Sequence, residues 1–512
     1  MRIIDNRALA LRVRHPSHIT QVIPKSKIVG DHEVIVHWGL EECQILKNLG
    51  IKNVPSPIEA KYDWPGLYTP FDHQRTTASF LTLHRRAHCF NEMGLGKTVS
   101  VGWAADYLMT LGLIKRVLIV APLSILDVAW QADLFKVCMH RTVDIAHGSA
   151  DKRRKVINGS AEFIIINYDG IGTVHEELIN GGFDLIVCDE ASALKNCQTN
   201  RWKNVNALLK SNTWLWLLTG TPAAQTPTDA YGLAKLVSPE KVPRFFGAFR
   251  DRVMQKVTQF KYVPRPEAKA IVHEVLQPAI RFTKAECLDL PEMVYTRRSV
   301  PMTKQQEHYY KKMKEKFRIE ASGEEVTSAN AAIKLNKLLQ IAGGATYTDS
   351  GEALEFDIKP RYKVLQEIIA ETDQKVLVFV PYRHGIQLLT QKLSDDGITN
   401  GVIDGSVSST ARGDLFRSFQ DKDDPRVLII QPQAAAHGVT LTAASTVVWW
   451  GPVSSLETYA QANARVHRPG QKHRCTVVQI EGSDVERHIY AMLDNRIDFH
   501  TKIVDLYKRL LD

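Results

Sequence analysis

Cysteine is scarce in this sequence, and the few cysteines form no pattern. The 512 residues contain 7 cysteines, an odd number, and no two of them stand in a C-x-x-C pair. Neither a disulfide framework nor a structural zinc site is therefore indicated, because both need paired or closely spaced cysteines. Scattered thiols of this kind are typical of proteins that work in a reducing compartment.

Long apolar runs are also missing. The first residues place charged side chains close together, at Arg2, Asp5, Arg7, Arg12 and Arg14, where a signal peptide needs an uninterrupted apolar stretch. No later run approaches the roughly 20 apolar residues that a membrane span requires. We therefore expect no membrane partner and a cytoplasmic location, in the host cytoplasm if a virus encodes the protein.

The charge and the length set two further bounds. The 65 lysines and arginines exceed the 56 aspartates and glutamates, which gives a formal charge of +9. Such an excess suits a polyanionic partner, but it is common among ordinary enzymes and discriminates weakly. A chain of 512 residues is too long for one hydrophobic core, so two or three domains are expected.

Short runs rich in valine and isoleucine recur from residue 116 onward, separated by stretches with helical spacing. The first set comprises RVLIVAPL (116–123), FIIINY (163–168), FDLIVCDE (183–190) and TWLWLLTGTP (213–222). The second set comprises KVLVFVPY (375–382), TNGVIDGS (399–406), RVLIIQP (426–432), TVVWWGP (446–452) and CTVVQIEG (475–482). Nearly continuous apolar strands between helices indicate parallel sheets covered on both faces. The predicted fold class is therefore α/β, with two such domains.

The remaining segments complete a predicted division into four parts. Residues 1–60 contain HEVIVHW (32–38) and EECQILKNLGI (41–51), which predict a small β-containing module with one helix. The other parts are the first α/β domain at 61–240, a helical, charged insertion and linker at 241–355, and the second α/β domain at 356–512. The last domain is predicted to end in a helix that begins with a capping box, Ser483-x-x-Glu486.

The segment NEMGLGKT, residues 91–98, carries the strongest local signal, and it is predicted to lie between two helical segments. A phosphate is bound by backbone N–H groups, small residues that let it approach, a cation for its β and γ oxygens and a hydroxyl for magnesium. Gly94, Gly96, Lys97 and Thr98 supply these features. Asn91 stands where the general G-x-x-x-x-G-K-T pattern has its first glycine, so the match is incomplete. ATP and Mg²⁺ are the predicted cofactors.

An acidic motif, DEAS at residues 189–192, follows the apolar strand FDLIVC. Hydrolysis of ATP needs one carboxylate that holds Mg²⁺ and a second that orients and deprotonates the attacking water. We assign Asp189 to the first role and Glu190 to the second. An acidic pair after a strand is by itself most often a solvated loop, but here the phosphate loop precedes it and LTGTP (218–222) follows it. Three such motifs at strand ends predict one crevice in a doubly wound sheet.

Two arginines in QANARVHRPGQ, residues 461–471, form a third candidate element. Arg465 and Arg468 are spaced i and i+3 on a predicted helix, with Gln461 one turn earlier, so both guanidinium groups are expected to face one cleft. A cation from the second domain can neutralise the charge that develops on the γ-phosphate, and such an arginine finger contributes about 10³–10⁵ in rate. The alternative is an ordinary basic helix face in solvent.

The order of these motifs along the chain resembles that of superfamily-two helicases. Several details within the motifs resemble the Swi/Snf-type DNA translocases in particular. The segment 91–98 differs from the family's D-E-M-G-L-G-K-T only at its first residue. The family's D-E-A-H-x-x-K-N is matched at 189–196 except at Ser192, and its Q-A-x-x-R-x-H-R-x-G-Q is matched at 461–471. LTGTP and RFTKAECLDLP (281–291) also correspond to family blocks, and the resemblance covers about residues 67–490.

The resemblance implies two RecA-like motor domains that hydrolyse ATP at their interface while the protein moves along DNA, here predicted to be duplex. It also implies that Gln74, in FDHQ (71–74), contacts adenine. Further residues are expected to line the path of one nucleic-acid strand, namely Pro122, Ser124, Tyr168, Ser406 and Thr440. Four tryptophans could stack on bases, but each lies in an apolar run and is predicted to be core: Trp130, Trp216, Trp449 and Trp450.

One block departs from the family pattern. Where the family has A-G-G-x-G-L-N-L, this chain has AAAHGVTL (434–441), so Ala435 and Ala436 replace two glycines and Thr440 replaces an asparagine. Two added methyl groups are expected to alter how the second domain couples to DNA or ATP. The charged residues of the motifs are unaffected, and the chain resembles the compact motors of bacteria and their viruses.

Four functions stay open at the level of the sequence: a duplex-DNA translocase, a strand-separating DNA helicase, an RNA-directed motor, and a nucleic-acid clamp whose ATPase has decayed. The phosphate-loop match and the K-N after the acidic motif favour the translocase, and the intact charged residues argue against the clamp. A metabolic P-loop kinase fits least, because it needs no paired arginines in a second domain. The sequence does not identify a protein partner, an oligomeric state or the biological process that the protein serves.

Overall fold

The computed structural model describes residues 1–220, 222–223, 226–257, 262–323, 328–347, 353–434 and 439–495. Its contacts divide the chain into two compact units, Met1–Cys287 and Leu288–Asp512. Thr221 of the LTGTP block lies outside the described residues, and so do Ala435 and Ala436. Within the described ranges, no helix is both long and apolar enough to cross a membrane.

The first unit begins with a small antiparallel sheet. Its strands are β1 (Arg2–Ile4), β2 (Ala8–Arg12), β3 (Ser26–Gly30) and β4 (Glu33–His37), in the order β1-β2-β4-β3. The helices of this part are α1 (Pro16–Val22), α2 (Leu40–Asn48) and α3 (Ile58–Lys61). The predicted N-terminal β-containing module is confirmed, because HEVIVHW supplies β4 and the predicted helix is α2. The prediction of a single helix is wrong, because α1 and α3 are also present.

This small sheet is part of the core of the first unit. The next helix is α4 (Asp72–Thr82), and its Leu81 shares one hydrophobic cluster with Leu9 and Trp38 of the module. The Nε2 of Gln44, on α2, donates to the carbonyl of Thr82 at 3.0 Å. Apolar burial and hydrogen bonding therefore fix the module to α4.

A seven-stranded parallel sheet forms the centre of the first unit. In chain order the strands of this sheet are β5 (Arg86–Cys89), β6 (Val117–Ala121), β7 (Val143–Ile145), β8 (Phe163–Asn167), β9 (Leu185–Asp189), β10 (Trp214–Leu218) and β13 (Ala279–Ile280). Before β13, the chain forms a separate two-stranded ribbon of β11 (Met254–Lys256) and β12 (Tyr262–Pro264). The sheet order is β13-β5-β10-β9-β6-β8-β7. The four predicted strands are confirmed as β6, β8, β9 and β10. The apolar pattern misses β5, β7 and β13 because they are only 4, 3 and 2 residues long.

Helices cover both faces of this sheet, as the apolar strands require. Alternate residues of the central strands enter two clusters, with Ile119 and Ile165 on one side and Leu118 and Ile164 on the other. The helices are α5 (Lys97–Thr110), α6 (Ala132–Val137), α7 (Ala150–Ile157), α8 (Tyr168–Ile171), α9 (His175–Asn180), α10 (Asn200–Leu208), α11 (Ala230–Val237), α12 (Phe246–Val253), α13 (Ala268–Val275) and α14 (Lys284–Cys287).

The second unit contains a six-stranded parallel sheet and a separate two-stranded ribbon. The sheet begins with β14 (Met293–Ser299), and the ribbon pairs β15 (Ala345–Tyr347) with β16 (Ala353–Glu355). The other sheet strands are β17 (Lys375–Phe379), β18 (Asn400–Ile403), β19 (Val427–Ile430), β20 (Ala444–Trp449) and β21 (Cys475–Glu481), in the order β14-β21-β20-β17-β19-β18. The five predicted strands of the second α/β domain are confirmed as β17 to β21.

The helices of the second unit include two from the charged segment between the predicted domains. They are α15 (Lys304–Gly323), α16 (Ser328–Gly343), α17 (Lys359–Ala370), α18 (Arg383–Asp395), α19 (Ser409–Asp421), α20 (Leu456–Asn463) and α21 (Asp484–Asp494). The predicted capping box at the start of α21 is confirmed. The four tryptophans predicted to be core are all buried, namely Trp130, Trp216, Trp449 and Trp450.

The division between the units differs from the predicted segment bounds. Both β13 and β14 lie inside the segment 241–355, which is predicted as insertion and linker. In the structure β13 pairs with β5 of the first sheet and β14 pairs with β21 of the second, and the units divide between Cys287 and Leu288. Edge strands are short or half exposed, so they lack the continuous apolar pattern that marks a central strand.

A buried ion pair connects several elements of the second unit. The Nη2 of Arg361 lies 2.7 Å from the Oε1 of Glu486, and both side chains are almost fully buried. The guanidinium also donates to the carbonyls of Ala342 and Ile480, at 2.9 and 2.8 Å, while the Oε2 of Glu486 accepts from the N–H of Ser483 at 3.0 Å. One network thus joins α16, α17, β21 and α21.

Glu486→Gln keeps the size of this side chain but removes its charge, which leaves the guanidinium of Arg361 buried without a counter-charge. We expect the free energy of unfolding to fall by about 3–5 kcal/mol. Asp414→Asn is the matched control, because Asp414 pairs with Arg417 on the exposed surface of α19, and its loss should cost less than about 1 kcal/mol. Urea denaturation measures both changes, and equal losses would contradict the role given to the buried pair.

Candidate active site

The three motif-bearing loops of the first unit leave its sheet along one row of residues. Leu218 of β10 pairs in register with Cys89 of β5 on one side and with Asp189 of β9 on the other. The phosphate-loop segment follows Cys89, the LTGTP segment contains Leu218, and DEAS begins at Asp189. Because the strands are parallel, all three loops emerge at the same edge of the sheet.

The phosphate-loop segment follows a strand, so its predicted position between two helices is wrong. The strand is β5, which contains an arginine and a histidine and therefore lacks the apolar run by which the other strands are predicted. After the loop, α5 begins at Lys97, and Thr98 lies in its first turn. Gly94 and Gly96 have φ values of +85° and +72°, which residues with a Cβ rarely adopt. The loop therefore exposes the N–H groups of a helix N-terminus, which favour an anion.

Asn91, where the loop departs from the family pattern, is a buried anchor. Its Nδ2 donates to the Oγ1 of Thr77 on α4 at 2.8 Å, and its Oδ1 accepts from the N–H of Phe282 at 3.0 Å. The Nζ of Lys97 donates to the carbonyls of Asn91 and Glu92, at 2.9 and 3.4 Å. The amide thus holds the start of the loop, and the ammonium of Lys97 lies against the loop backbone.

The side chain of Gln74, on α4, packs against the same loop. Its Oε1 accepts from the N–H of Phe71 at 3.0 Å, and its Nε2 donates to the carbonyl of Leu95 at 3.4 Å. A methyl group added at Gly96 would lie 2.2 Å from the Nε2 of Gln74. Contact of Gln74 with adenine stays a prediction, but the position of its amide explains why residue 96 carries no side chain.

Asp189 ends β9 as a buried carboxylate held by two hydrogen bonds. Its Oδ2 accepts from the Nε1 of Trp130 at 2.9 Å, and its Oδ1 accepts from the N–H of Glu190 at 2.9 Å. Burial raises the pKa of Asp189, while the charge of Lys97 and these two hydrogen bonds act in the opposite direction. Glu190 has a φ of +48°, a strained value for a residue with a side chain and one that concentrates at functional sites.

The charges of Lys97 and Asp189 both act on the thiol of Cys89, the last residue of β5. Burial raises the pKa of this thiol to about 11, the charge of Lys97 lowers it, and the charge of Asp189 raises it. Because such effects decline with distance, both charged groups lie near the end of β5. Backbone N–H groups, an ammonium, a hydroxyl and a carboxylate at one strand edge are a set of ligands that suits a Mg²⁺-bound triphosphate.

Two contacts to Asp189 come from residues for which the sequence predicts other roles. Trp130 is core, as predicted, but its indole also orients the carboxylate. Tyr168, predicted on the nucleic-acid path, is 4% exposed, and its hydroxyl donates to the carbonyl of Asp189 at 2.7 Å. A buried indole N–H or phenol needs a partner, which is a signal available in the sequence, but it does not identify the partner.

The predicted nucleic-acid residues Pro122 and Ser124 follow β6 at the same edge of the sheet. Pro122 precedes the short 3-10 turn Leu123–Ile125, which contains Ser124. A π-helical turn, Leu126–Gln131, comes next and carries Trp130. Such turns are rare and often occur at functional sites. The loop predicted to contact nucleic acid is therefore continuous with a residue that holds Asp189.

The predicted placement of Arg465 and Arg468 on one helix face is wrong. The helix α20 ends at Asn463, and both arginines lie in the turns that follow. Arg468 precedes Pro469, and a residue before proline avoids the helical conformation. The i and i+3 spacing therefore sets no common face here, and each arginine is placed by its own contacts.

Those contacts differ between the two arginines. Arg465 is 2% exposed, and its Nη1 donates to the carbonyl of Val439 at 3.3 Å. Arg468 is half-buried, its Nη1 donates to the Oγ1 of Thr440 at 3.3 Å, and its Nε donates to the carbonyl of Ala464 at 3.1 Å. The second unit thus brings both predicted catalytic arginines beside the block in which Thr440 is predicted to contact nucleic acid.

Two further predicted residues of the second unit have local partners. Gln461, on α20, is buried, and its Nε2 donates to the Oε1 of Glu457 at 3.3 Å. Ser406 is exposed after β18, and its Oγ donates to the Oδ1 of Asp404 at 2.6 Å. This hydrogen bond is the main reason that the pKa of Asp404 is lowered. The predicted contacts of Gln461 with nucleotide and of Ser406 with nucleic acid stay predictions.

Comparison with known proteins identifies two families along the chain. The SNF2-related domain family matches residues 73–345, and the helicase conserved C-terminal domain family matches residues 360–470. An ATP-dependent helicase of Mycoplasma genitalium is 27% identical over 402 residues, which are 76% of this chain and 37% of that protein. Protein p41 of Acyrthosiphon pisum secondary endosymbiont phage 1 is 25% identical, over 78% of this chain and 88% of p41.

A DNA annealing helicase and endonuclease of Homo sapiens is 26% identical, over 78% of this chain and 36% of that protein. The match therefore spans little more than a third of the length of the Mycoplasma and human relatives. In all three comparisons the shared part is about three quarters of this chain.

Gly96→Ala inserts a side chain into the space of Gln74 at a residue with positive φ, so we expect backbone strain and a displaced glutamine. Gly112→Ala is the matched control, because Gly112 has a φ of +70° but nothing lies within 4 Å of an added methyl group. Each variant should lose about 1–2 kcal/mol of stability through its backbone. Only Gly96→Ala should also weaken ATP binding, by about tenfold. Thermal denaturation and ATP titration separate the effects, and equal ATP affinities would refute the loop assignment.

Proposed function

The chain belongs to the SNF2-related family, and on this basis we propose that it is an ATP-driven motor that binds duplex DNA and moves along it without separating the strands. The observation that carries the proposal is the single row of Cys89, Leu218 and Asp189, which gathers the phosphate loop and the acidic pair at one edge of a parallel sheet. ATP hydrolysed to ADP and phosphate would supply the energy for the movement.

The residues at this edge suit the hydrolysis of a Mg²⁺-bound triphosphate. The N–H groups at the start of α5 and the ammonium of Lys97 would hold the β and γ phosphates. Thr98 and Asp189 would hold Mg²⁺, which would withdraw charge from the phosphate oxygens. Glu190, the next residue, would orient the attacking water and accept its proton. Gln74, whose amide packs against the loop, would contact adenine.

In the second unit we assign the charge-neutralising role to Arg468 ahead of Arg465. Arg465 is almost fully buried and donates to a carbonyl of its own unit, which suits support of the turn. Arg468 is more exposed and contacts Thr440, a residue that would contact the DNA strand. An arginine that neutralises the γ-phosphate in the transition state contributes about 10³–10⁵ in rate.

Duplex DNA is favoured as the partner by the charge, the motifs and a relative. The formal charge of +9 suits a polyanion, and cations that neutralise phosphates make binding salt-dependent. The phosphate loop and the K-N that follows the acidic pair resemble the corresponding motifs of DNA translocases. The human relative is named a DNA annealing helicase. Pro122, Ser124 and Ser406 would lie along one strand. The ring of Tyr168 is buried, so α8 would contribute its backbone there.

The cellular setting is proposed from the thiols. None of the seven cysteines, which all lie in the described part of the chain, forms a disulfide. Cysteines remain reduced in reducing compartments, and we propose the cytoplasm, of the host cell if a virus encodes the chain.

A strand-separating helicase, an RNA-directed motor and a clamp with weak ATPase are the alternatives. ATP turnover measured without nucleic acid and with single-stranded DNA, duplex DNA and RNA discriminates among them. We expect duplex DNA to stimulate most, and the protein to displace the third strand of a triplex without unwinding a forked duplex. Unwinding of the fork would favour the helicase, stimulation by RNA would favour the RNA motor, and no turnover at all would favour the clamp.

Arg468→Ala should retain ATP binding, because the phosphate loop is unchanged, but lose DNA-stimulated turnover by about 10³-fold or more and fail to displace a third strand. Arg417→Ala is the control, since it removes an exposed arginine of the same unit whose partner is Asp414. ATP titration, turnover and triplex displacement are measured on both variants. Turnover of Arg468→Ala at the unmodified rate would remove the arginine finger from the proposal.

A further inference from the structure

Asp189 is hydrogen-bonded to Tyr168, which is predicted on the nucleic-acid path, and to Trp130, which lies in the segment that follows Pro122 and Ser124. The Nε1 of Trp130 donates to its Oδ2 at 2.9 Å, and the hydroxyl of Tyr168 donates to its carbonyl at 2.7 Å. All three residues are buried. One bond orients the carboxylate, and the other holds the backbone from which it projects.

The first connection runs from Pro122 to Trp130 without an interruption in structure. A 3-10 turn and a π-helical turn fill the interval, and Ile125 and Leu126 are buried in the same hydrophobic cluster as Trp130. A π-helical turn contains an extra residue that the surrounding packing must hold in place. Because Ile125 and Leu126 pack in the cluster that also holds Trp130, a shift of the loop that begins at Pro122 would act on the indole through this packing.

The second connection is shorter. Tyr168 is the first residue of α8, directly after β8, and lies at the same edge of the sheet as Asp189. Its hydroxyl reaches the carbonyl of the last residue of β9. A contact made by the N-terminus of α8 would reach Asp189 through one side chain.

We propose that Trp130 and Tyr168 are positioning residues that couple DNA binding to nucleotide binding, each through its hydrogen bond to Asp189. This inference rests on the proposed function, because it takes the loop at Pro122 and the start of α8 to contact DNA and Asp189 to serve the Mg²⁺-bound nucleotide. By thermodynamic linkage, DNA then tightens nucleotide binding by the same factor by which the nucleotide tightens DNA binding.

If the two side chains have a purely structural role, a different result is expected for nucleotide binding with and without DNA. Buried donors need acceptors in any protein, and removal of such a bond lowers stability wherever it occurs. It does not change the ratio of nucleotide affinities with and without DNA. This ratio is therefore the quantity that separates coupling from structural support.

Trp130→Phe and Tyr168→Phe each keep an aromatic ring and remove the donor. Their controls are Trp216→Phe and Tyr231→Phe, which make the same changes at equally buried residues of the same unit. Trp216 donates from Nε1 to the carbonyl of His84 at 3.0 Å, and Tyr231 donates from its hydroxyl to the carbonyl of Arg244 at 2.8 Å. Neither control acceptor belongs to a motif of the site.

The measurement is the affinity of each protein for a fluorescent non-hydrolysable ATP analogue with Mg²⁺, in the absence and in the presence of saturating duplex DNA. DNA should tighten binding to the unmodified protein by a factor in the range of about 5–150. Trp130→Phe and Tyr168→Phe should each lose most of this factor, and both controls should keep it. DNA binding is recorded for every protein by fluorescence anisotropy.

Retention of the full factor in both Trp130→Phe and Tyr168→Phe would overturn the inference, and so would its equal loss in the two controls. An unmodified protein that binds DNA but shows no coupling would overturn the inference and leave the motor proposal standing. An unmodified protein that does not bind DNA would overturn the motor proposal itself. If Trp130→Phe fails to fold, Tyr168→Phe decides the question, because it removes a single oxygen atom.

Discussion

The register of the parallel strands in the first unit is the constraint on which its candidate active site depends. Cys89, Leu218 and Asp189 occupy one row, so the three loops that follow start from one line at one edge of the sheet. The row cannot slide, because each central strand is buried on both faces and a shift of one residue would exchange its two sets of apolar side chains. The packing of the hydrophobic core therefore sets the position of the phosphate loop relative to the acidic pair.

Hydrogen bonds and ion pairs of buried polar side chains fix the orientation of several groups in both units. Asp189 lies where burial disfavours its charge, and Trp130, Lys97 and a backbone N–H offset part of that cost. Asn91 uses both ends of its amide to hold the phosphate loop to α4 and to the chain near residue 282. In the second unit, Arg361 and Glu486 connect helices and strands by the same means. In each case a buried polar side chain is held by several partners, which fixes its direction.

Periodicity predicts the central strands because burial on both faces leaves a nearly continuous apolar run, as in β8 and β9. It does not predict β5, β7, β13 or β14. The first three are very short, and β14 carries Arg297 and Arg298 on an edge that is partly exposed. The same limit explains the misplaced helix at Arg465 and Arg468. Helical spacing alone favours a helix there, whereas Pro469 and the contacts of each arginine produce turns.

By itself, the sequence determined the chemical groups of the candidate site. The glycines, Lys97 and the acidic pair stand in contiguous motifs, so their residue types and spacing are legible without a fold. Only the tertiary structure decided what holds these groups. Trp130 meets Asp189 across 59 positions, and Asn91 meets Phe282 across 191. Contacts at such separations arise from the order of strands in a sheet and the packing of helices on it, and no local pattern of residues encodes them.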